Sequence, residues 1–69
     1  MIMEHVARIL KELRKEAGLK QEDVAKYLDI ASSTYAGYEQ SRSEPSIETI
    51  RKICTFYKIT SDYLIGLEI

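Results

Sequence analysis

Cysteine, proline and surplus basic charge are all scarce in this chain. Cys54 is the single cysteine of 69 residues, so no disulfide closes within the chain and no thiolate cluster holds zinc. A reducing, intracellular setting is the expectation. No apolar run approaches the ~20 residues of a membrane span. Residues 1–10 interleave charge with apolar side chains too closely for a signal peptide, so a cytoplasmic chain without a membrane partner is expected. His5, the single histidine, has no second ligand near it in sequence, which argues against a metal site, and no cofactor is implied. Catalysis is not expected either. No nucleophile, base and orienting acid form a cluster, and a domain this small has little room to enclose a pocket.

Ten Lys and Arg face eleven Asp and Glu, a net charge of −1, whereas nucleic-acid-binding domains are usually basic. Position partly offsets this. Arg8, Lys11, Arg14, Lys15 and Lys20 are opposed in their stretch only by Glu12 and Glu16, so a local patch is available while long-range steering is weak. At this length one domain, residues 1–69, is expected. Such a chain buries only about 60% of its unfolded surface, a first reason to look for a second copy that adds burial.

What the chain does have is helical periodicity. Val6, Ile9, Leu10, Leu13 and Ala17 recur at three- and four-residue steps, and Gly18 follows where a left-handed cap sits, giving a first helix over residues 4–17. Residues 21–28 place Val24, Ala25 and Leu28 on one face, with Glu22 and Asp23 at the positive end of the helix dipole. Asp29 then stands at a turn position that wants positive φ, and Ile30 should point inward. Residues 32–40 direct Tyr35, Tyr38 and Glu39 inward and leave Ser32, Ser33, Ala36 and Gly37 outward. Two short helices joined by a three-residue turn, with hydroxyl side chains opening the second, are how a protein offers a helix to the DNA major groove. The loop 41–46 holds the only proline, Pro45, and Ser46 caps a fourth helix to about residue 57, with Ile47, Ile50, Ile53, Cys54 and Tyr57 on its apolar face. Thr60 or Ser61 opens a fifth, containing Tyr63, Leu64 and Ile65, and Gly66 ends it. The fold class is all-α, with no strand-like alternation.

Leu13-Arg14, Gly18-Leu19, Gln21, Val24-Ala25, Leu28, Ile30, Ser33-Thr34, Tyr38-Glu39, Glu44-Pro45 and the tail of residues 61–66 form an ordered set at fixed spacing. On these the chain resembles the helix-turn-helix domain of phage repressors and Cro proteins, the Xre-type bacterial regulators, over residues 6–67. The resemblance implies a compact five-helix, lambda-repressor-like domain whose helix-turn-helix is helices two and three. It further implies a transcriptional regulator, a repressor in the first reading, that binds a pseudo-palindromic double-stranded DNA operator as a homodimer.

Carried over residue by residue, Gln21 beside Lys20 grips a phosphate at the start of helix two. Ser32, Ser33 and Gly37 take base-reading positions. Thr34, Gln40, Ser41 and Arg42 hold phosphates, Ser43 reaches a base edge or the backbone, and Ala36 touches a thymine methyl. Arg14 and Glu39 correspond to a partly buried pair linking helix one to the end of helix three. Tyr63, Ile65, Leu67 and Ile69 offer apolar surface for self-association.

Several positions read differently from the usual pattern. Lys20 and Ala31 stand at N-caps without a capping side chain, worth about 1 kcal/mol each. Asp29 and Ser41 occupy turn sites that glycine would relax. Tyr35 and Tyr38 at helical spacing are core more readily than phosphate contacts, and Cys54 is a small core residue. The stripe of Arg8, Lys11 and Lys15 is a solvated face before it is a phosphate clamp. The competing function is a protein-interaction module of the same fold, an antitoxin or adaptor with an unknown protein partner.

Overall fold

The computed structural model describes residues 2–66, which form five helices and no strand. They are α1 (Ile2–Glu16), α2 (Gln21–Leu28), α3 (Ser32–Glu39), α4 (Ile47–Tyr57) and α5 (Ser61–Ile65). The expected order holds, while α1 begins two residues earlier than expected and closes one residue earlier. None of these helices is long and apolar enough to cross a membrane.

Every helix contributes to one core: Val6, Ile9 and Leu10 from α1, Val24, Ala25 and Leu28 from α2, Tyr35 and Tyr38 from α3, Ile53 from α4, and Leu64 from α5. Six of the expected α1 and α2 positions are therefore buried at helical spacing, which fixes how each helix is rotated about its axis. Ala25 is only 1% exposed. A methyl group at that point lets α2 and α3 approach closely, and a longer side chain would push α3 off its crossing angle. Ile30 packs against the core from the turn, as its apolar character demands.

Ile47 departs from expectation. It is 75% exposed, because it is the first residue of α4 and its side chain projects ahead of the packed turns that carry Ile50 and Ile53. Cys54 lies half-buried against the core, and burial pushes its thiol up from the ordinary value, leaving little reactive thiolate.

The helix ends explain how so short a chain turns four times. Gly18 adopts φ 72°, and Leu19 N–H reaches back to the Arg14 carbonyl at 3.0 Å. Asp29 is left-handed at φ 59°, with Ile30 N–H on the Ala25 carbonyl at 3.0 Å, closing α2 by the same device. Lys58 does so after α4 at φ 56°, with Ile59 N–H on the Cys54 carbonyl at 3.0 Å. At the starts, Ser46 Oγ accepts from Thr49 N–H at 3.1 Å and Thr60 Oγ1 accepts from Tyr63 N–H at 3.1 Å, so Thr60 is the cap of α5. Lys20 and Ala31 provide no side-chain cap. Asp23 compensates at α2, its carboxylate accepting the Lys20 backbone N–H at 2.9 Å.

α5 closes the bundle over α1. The His5 ring meets the Tyr63 carbonyl at 3.3 Å through Nε2 and Arg8 at 3.1 Å through Nδ1. It also lies so close to Gly66 that a Cβ there would come within 2.9 Å of the ring.

Candidate nucleic-acid interface

α3 is shaped by what lies beneath it. Its sequence, SSTYAGYE, has little amphipathic contrast, and it is held by Tyr35, Tyr38 and Glu39, all buried. Glu39 is the anchor. Arg14 Nε donates to its Oε2 at 2.7 Å and Arg14 Nη2 to its Oε1 at 3.1 Å, a forked pair from α1 to the last residue of α3. The Glu39 side chain is fully buried and that of Arg14 is 14% exposed. Arg14 uses its remaining nitrogen on the Leu19 carbonyl at 3.0 Å, and Gln21 Nε2 donates to Glu39 Oε1 at 3.1 Å. One carboxylate thus ties α1, the α1–α2 turn, α2 and α3 into a single frame.

Burial by itself would raise the Glu39 carboxyl, but the hydrogen bonds from Arg14 and Gln21, with the Tyr35 phenol close by, hold it below its ordinary value. The Arg14 guanidinium is correspondingly raised by its bond to Glu39, against the opposing effect of burial. Burial first, and the neighbouring carboxylate second, push the Tyr35 phenol far up, and burial likewise raises Tyr57. Neither buried hydroxyl finds a hydrogen-bond partner among the described residues. The family resemblance pointed to the Arg14–Glu39 pair but not to the part of Gln21 in it, since helical spacing locates a face without saying what an amide tip meets.

Above that frame the expected contact residues line up as follows. Ser32, Ser33, Thr34 and Gln40 are exposed, Ala36 is half-exposed, and Ser41, Arg42 and Ser43 are exposed on the loop that follows. Ser41 takes the left-handed conformation, φ 60°, as its turn position required. Lys20, Gln21 and Ser32 share an open concavity of about 520 Å³ with Arg14, Leu19 and Glu22. Gln21 and Ser32, the first residues of α2 and α3, both line it beside Lys20. Glu22 sets a negative charge against Lys20 at the same place. One Gln21 amide hydrogen goes to Glu39, and the amide carries a second.

Gly37 is corrected: it is buried, not outward. The loop after α3 folds back across it, with Arg42 N–H on the Gly37 carbonyl at 2.9 Å and Ser43 Oγ 3.0 Å from where a Cβ would stand. Of the four residues expected to form a self-association surface, Tyr63 is 40% exposed and Ile65 is half-buried, while Leu67 and Ile69 lie outside the described residues.

The profile of the helix-turn-helix family matches residues 10–64. The HTH-type transcriptional regulator AnsR of Bacillus subtilis is 41% identical over 59 residues, which are 86% of this chain and 51% of AnsR. The HTH-type transcriptional regulator ImmR of the same organism is 35% identical over 57 residues, 83% of this chain and 45% of ImmR. The cryptic phage CTXphi transcriptional repressor RstR of Vibrio cholerae is 36% identical over 50 residues, 72% of this chain and 45% of RstR. In space, a transcriptional regulator from Listeria innocua superposes with a TM-score of 0.85 at 33% identity, over 88% of this chain and 57% of that one. The chain spans about half the length of the curated relatives it matches.

Proposed function

This chain belongs to the helix-turn-helix family, all-α and not an enzyme, and we propose that it is a sequence-specific DNA-binding transcriptional regulator, a repressor that occupies a pseudo-palindromic operator as a homodimer. The observation that carries the reading is the exposed hydroxyl face of α3 mounted on the Arg14–Glu39 frame. A reading helix must hold its angle to the groove, and the ion pair fixes that angle from the last residue of α3 back to α1. Lys20, the second Gln21 amide hydrogen and the α2 N-terminus take one phosphate. Thr34, Gln40, Ser41 and Arg42 take others along the strand, setting register. Base reading falls to Ser32, Ser33 and the Ala36 methyl. Hydroxyls discriminate bases less sharply than a forked Arg or Gln, so DNA shape and water carry part of the specificity.

Repression follows as steric exclusion of polymerase at the operator, in keeping with the relative RstR, a transcriptional repressor. Two copies with one α3 each would meet half-sites about one DNA turn apart, joined through Tyr63 and Ile65 of α5. The test is footprinting on the DNA upstream of the chain's own gene. Two protected major-groove segments about 10 base pairs apart support the proposal. Unbroken, sequence-independent protection, or none, rejects it.

A second reading has its own observation. Tyr27 on α2 is 53% exposed and stacks on Phe56 of α4 with ring centroids 4.2 Å apart, and Ile47 is 75% exposed. Together with a net charge of −1, this apolar surface favours a protein-interaction module, an antitoxin or adaptor. A footprint confined to two half-sites would argue against it as the primary role.

A further inference from the structure

We infer that Lys52 and Phe56, one turn apart on α4, are positioning residues of the helix-turn-helix, clasping the last turn of α2 so that α3 meets DNA at a fixed angle; this rests on the DNA-binding reading above. Lys52 Nζ donates to the carbonyl of Leu28, the last residue of α2, at 3.4 Å. Phe56 follows Lys52 by four residues, so the two share a face of α4. Its half-buried ring meets the ring of Tyr27 with centroids 4.2 Å apart and planes tilted by 31°. One polar and one aromatic contact thus grip two consecutive residues, Tyr27 and Leu28, immediately before the turn at Asp29.

The way α2 ends explains why it takes a hold from outside. The last carbonyls of a helix have no partner within it. The turn supplies two, Asp29 N–H on the Lys26 carbonyl at 3.2 Å and Ile30 N–H on the Ala25 carbonyl at 3.0 Å, and Lys52 supplies a third from α4. Asp29 also sets an acid at the negative end of the α2 dipole, where a cation is favoured, and the Lys52 ammonium brings one. Tyr27 is 53% exposed, so its stack on Phe56, and not burial, is what holds its ring in place. The Arg14–Glu39 pair secures the end of α3, while the clasp secures the end of α2 on the other side of the turn. Two separated holds define an angle that one would leave to core packing alone. Hydrogen bonds to base edges weaken steeply when misaligned, whereas the attraction of phosphates for cations does not depend on a strict angle. Base preference, more than overall affinity, is therefore what the clasp protects.

The test begins with a duplex that the full native chain selects from randomised DNA, and compares affinities for it and for a shuffled duplex over a salt series. The variants are Lys52→Met, which keeps the stem and removes the ammonium, Phe56→Leu, and the conservative pair Lys52→Arg and Phe56→Tyr. Urea midpoints establish that each is folded under the assay conditions, and Lys52→Met keeps the test decisive should Phe56→Leu fold poorly. For Lys52→Met and Phe56→Leu the ratio of selected to shuffled affinity is expected to fall about fivefold, the discrimination of one weak base contact. Affinity for the shuffled duplex and the salt slope should stay native, and Lys52→Arg and Phe56→Tyr should restore the ratio. An unchanged ratio in folded variants, or a loss shared equally by both duplexes, overturns the assignment while leaving DNA binding intact. A shallower salt slope for Lys52→Met would make Lys52 a phosphate contact and overturns it as well. Native protein that selects no sequence at all overturns both this assignment and the reading it rests on.

Discussion

Glu39 governs more of this molecule than any other side chain, since Arg14, Gln21 and the buried phenols all converge on it. Removing Arg14 would leave a fully buried carboxylate without its forked partner. Loss of one member of such a pair costs ~3–5 kcal/mol, comparable with the whole stability of a small domain, ~5 kcal/mol. Arg14→Ala is therefore expected to be largely unfolded at room temperature, as urea titration followed by circular dichroism will show. The pH dependence has a definite sign. Because folding lowers the Glu39 carboxyl below its usual value of 4.5, the stabilisation is fully present above that pH and is lost as the pH falls through the lower folded value. Urea midpoints measured from pH 7 down to pH 2.5 should fall along this acid limb. The Glu39→Gln variant should start less stable and lose less on the way down. At this scale the sequence was a good guide where a residue matched a local pattern, as for Ala25 and Ser46, and the family resemblance supplied the Arg14–Glu39 pair. It was a poor one for Gly37 and Ile47, whose exposure depends on a loop folding back and on a helix that begins two residues before its first buried position, Thr49.

Among the elements, starts and stops differ in how well the chain is adapted to them. Ser46 and Thr60 cap α4 and α5 with side-chain oxygens, but α3 begins at Ala31 with extended backbone, φ −68° and ψ 146°, and no side chain to accept an N–H. Ala31→Ser is expected to add up to ~1 kcal/mol, read as a rise in the urea midpoint with unchanged slope. Lys58 holds a left-handed conformation at φ 56° while fully on the surface. Such a conformation costs a non-glycine residue ~1–2 kcal/mol, so Lys58→Gly should also stabilise, by the same measurement, and a destabilised variant would mean that the Lys58 side chain has a role the strain argument omits. Helix order, the turn at Asp29 and the apolar faces were legible because each depends on residues within four positions of one another. The left-handed turn at Lys58 was not, because it is imposed by where α5 must begin, and nothing in the lysine side chain signals it.

For the molecule as a whole, a net charge of −1 requires the proposed DNA affinity to come from local contacts instead of from a general field. Lys20 and Arg42 are the cations on the proposed contact surface, four in a dimer, which implies a slope near −3.6 in log affinity against log salt. Arg42→Ala should reduce that slope to about −1.8 while leaving base preference unchanged. Self-association is tested by sedimentation equilibrium: a dimer at micromolar concentration, in free solution or on DNA, is expected, with Tyr63→Glu shifting it to monomer. The family was readable in the sequence because its core spacing is local and the residues that carry the resemblance stand in a fixed order. The partner surface was not, because half of its expected residues lie beyond α5 and because exposed apolar groups such as Tyr27 and Tyr63 carry no mark of what meets them.

The most direct measurement is fluorescence anisotropy of the chain against its own upstream DNA and a shuffled duplex of equal composition, from 50 to 200 mM salt. Tighter binding to its own DNA is expected at every salt concentration, with affinity falling about a hundredfold across that range. Equal and feeble binding to the two duplexes would contradict it and would make the exposed aromatic surface of α2 and α4 the place to look for a partner.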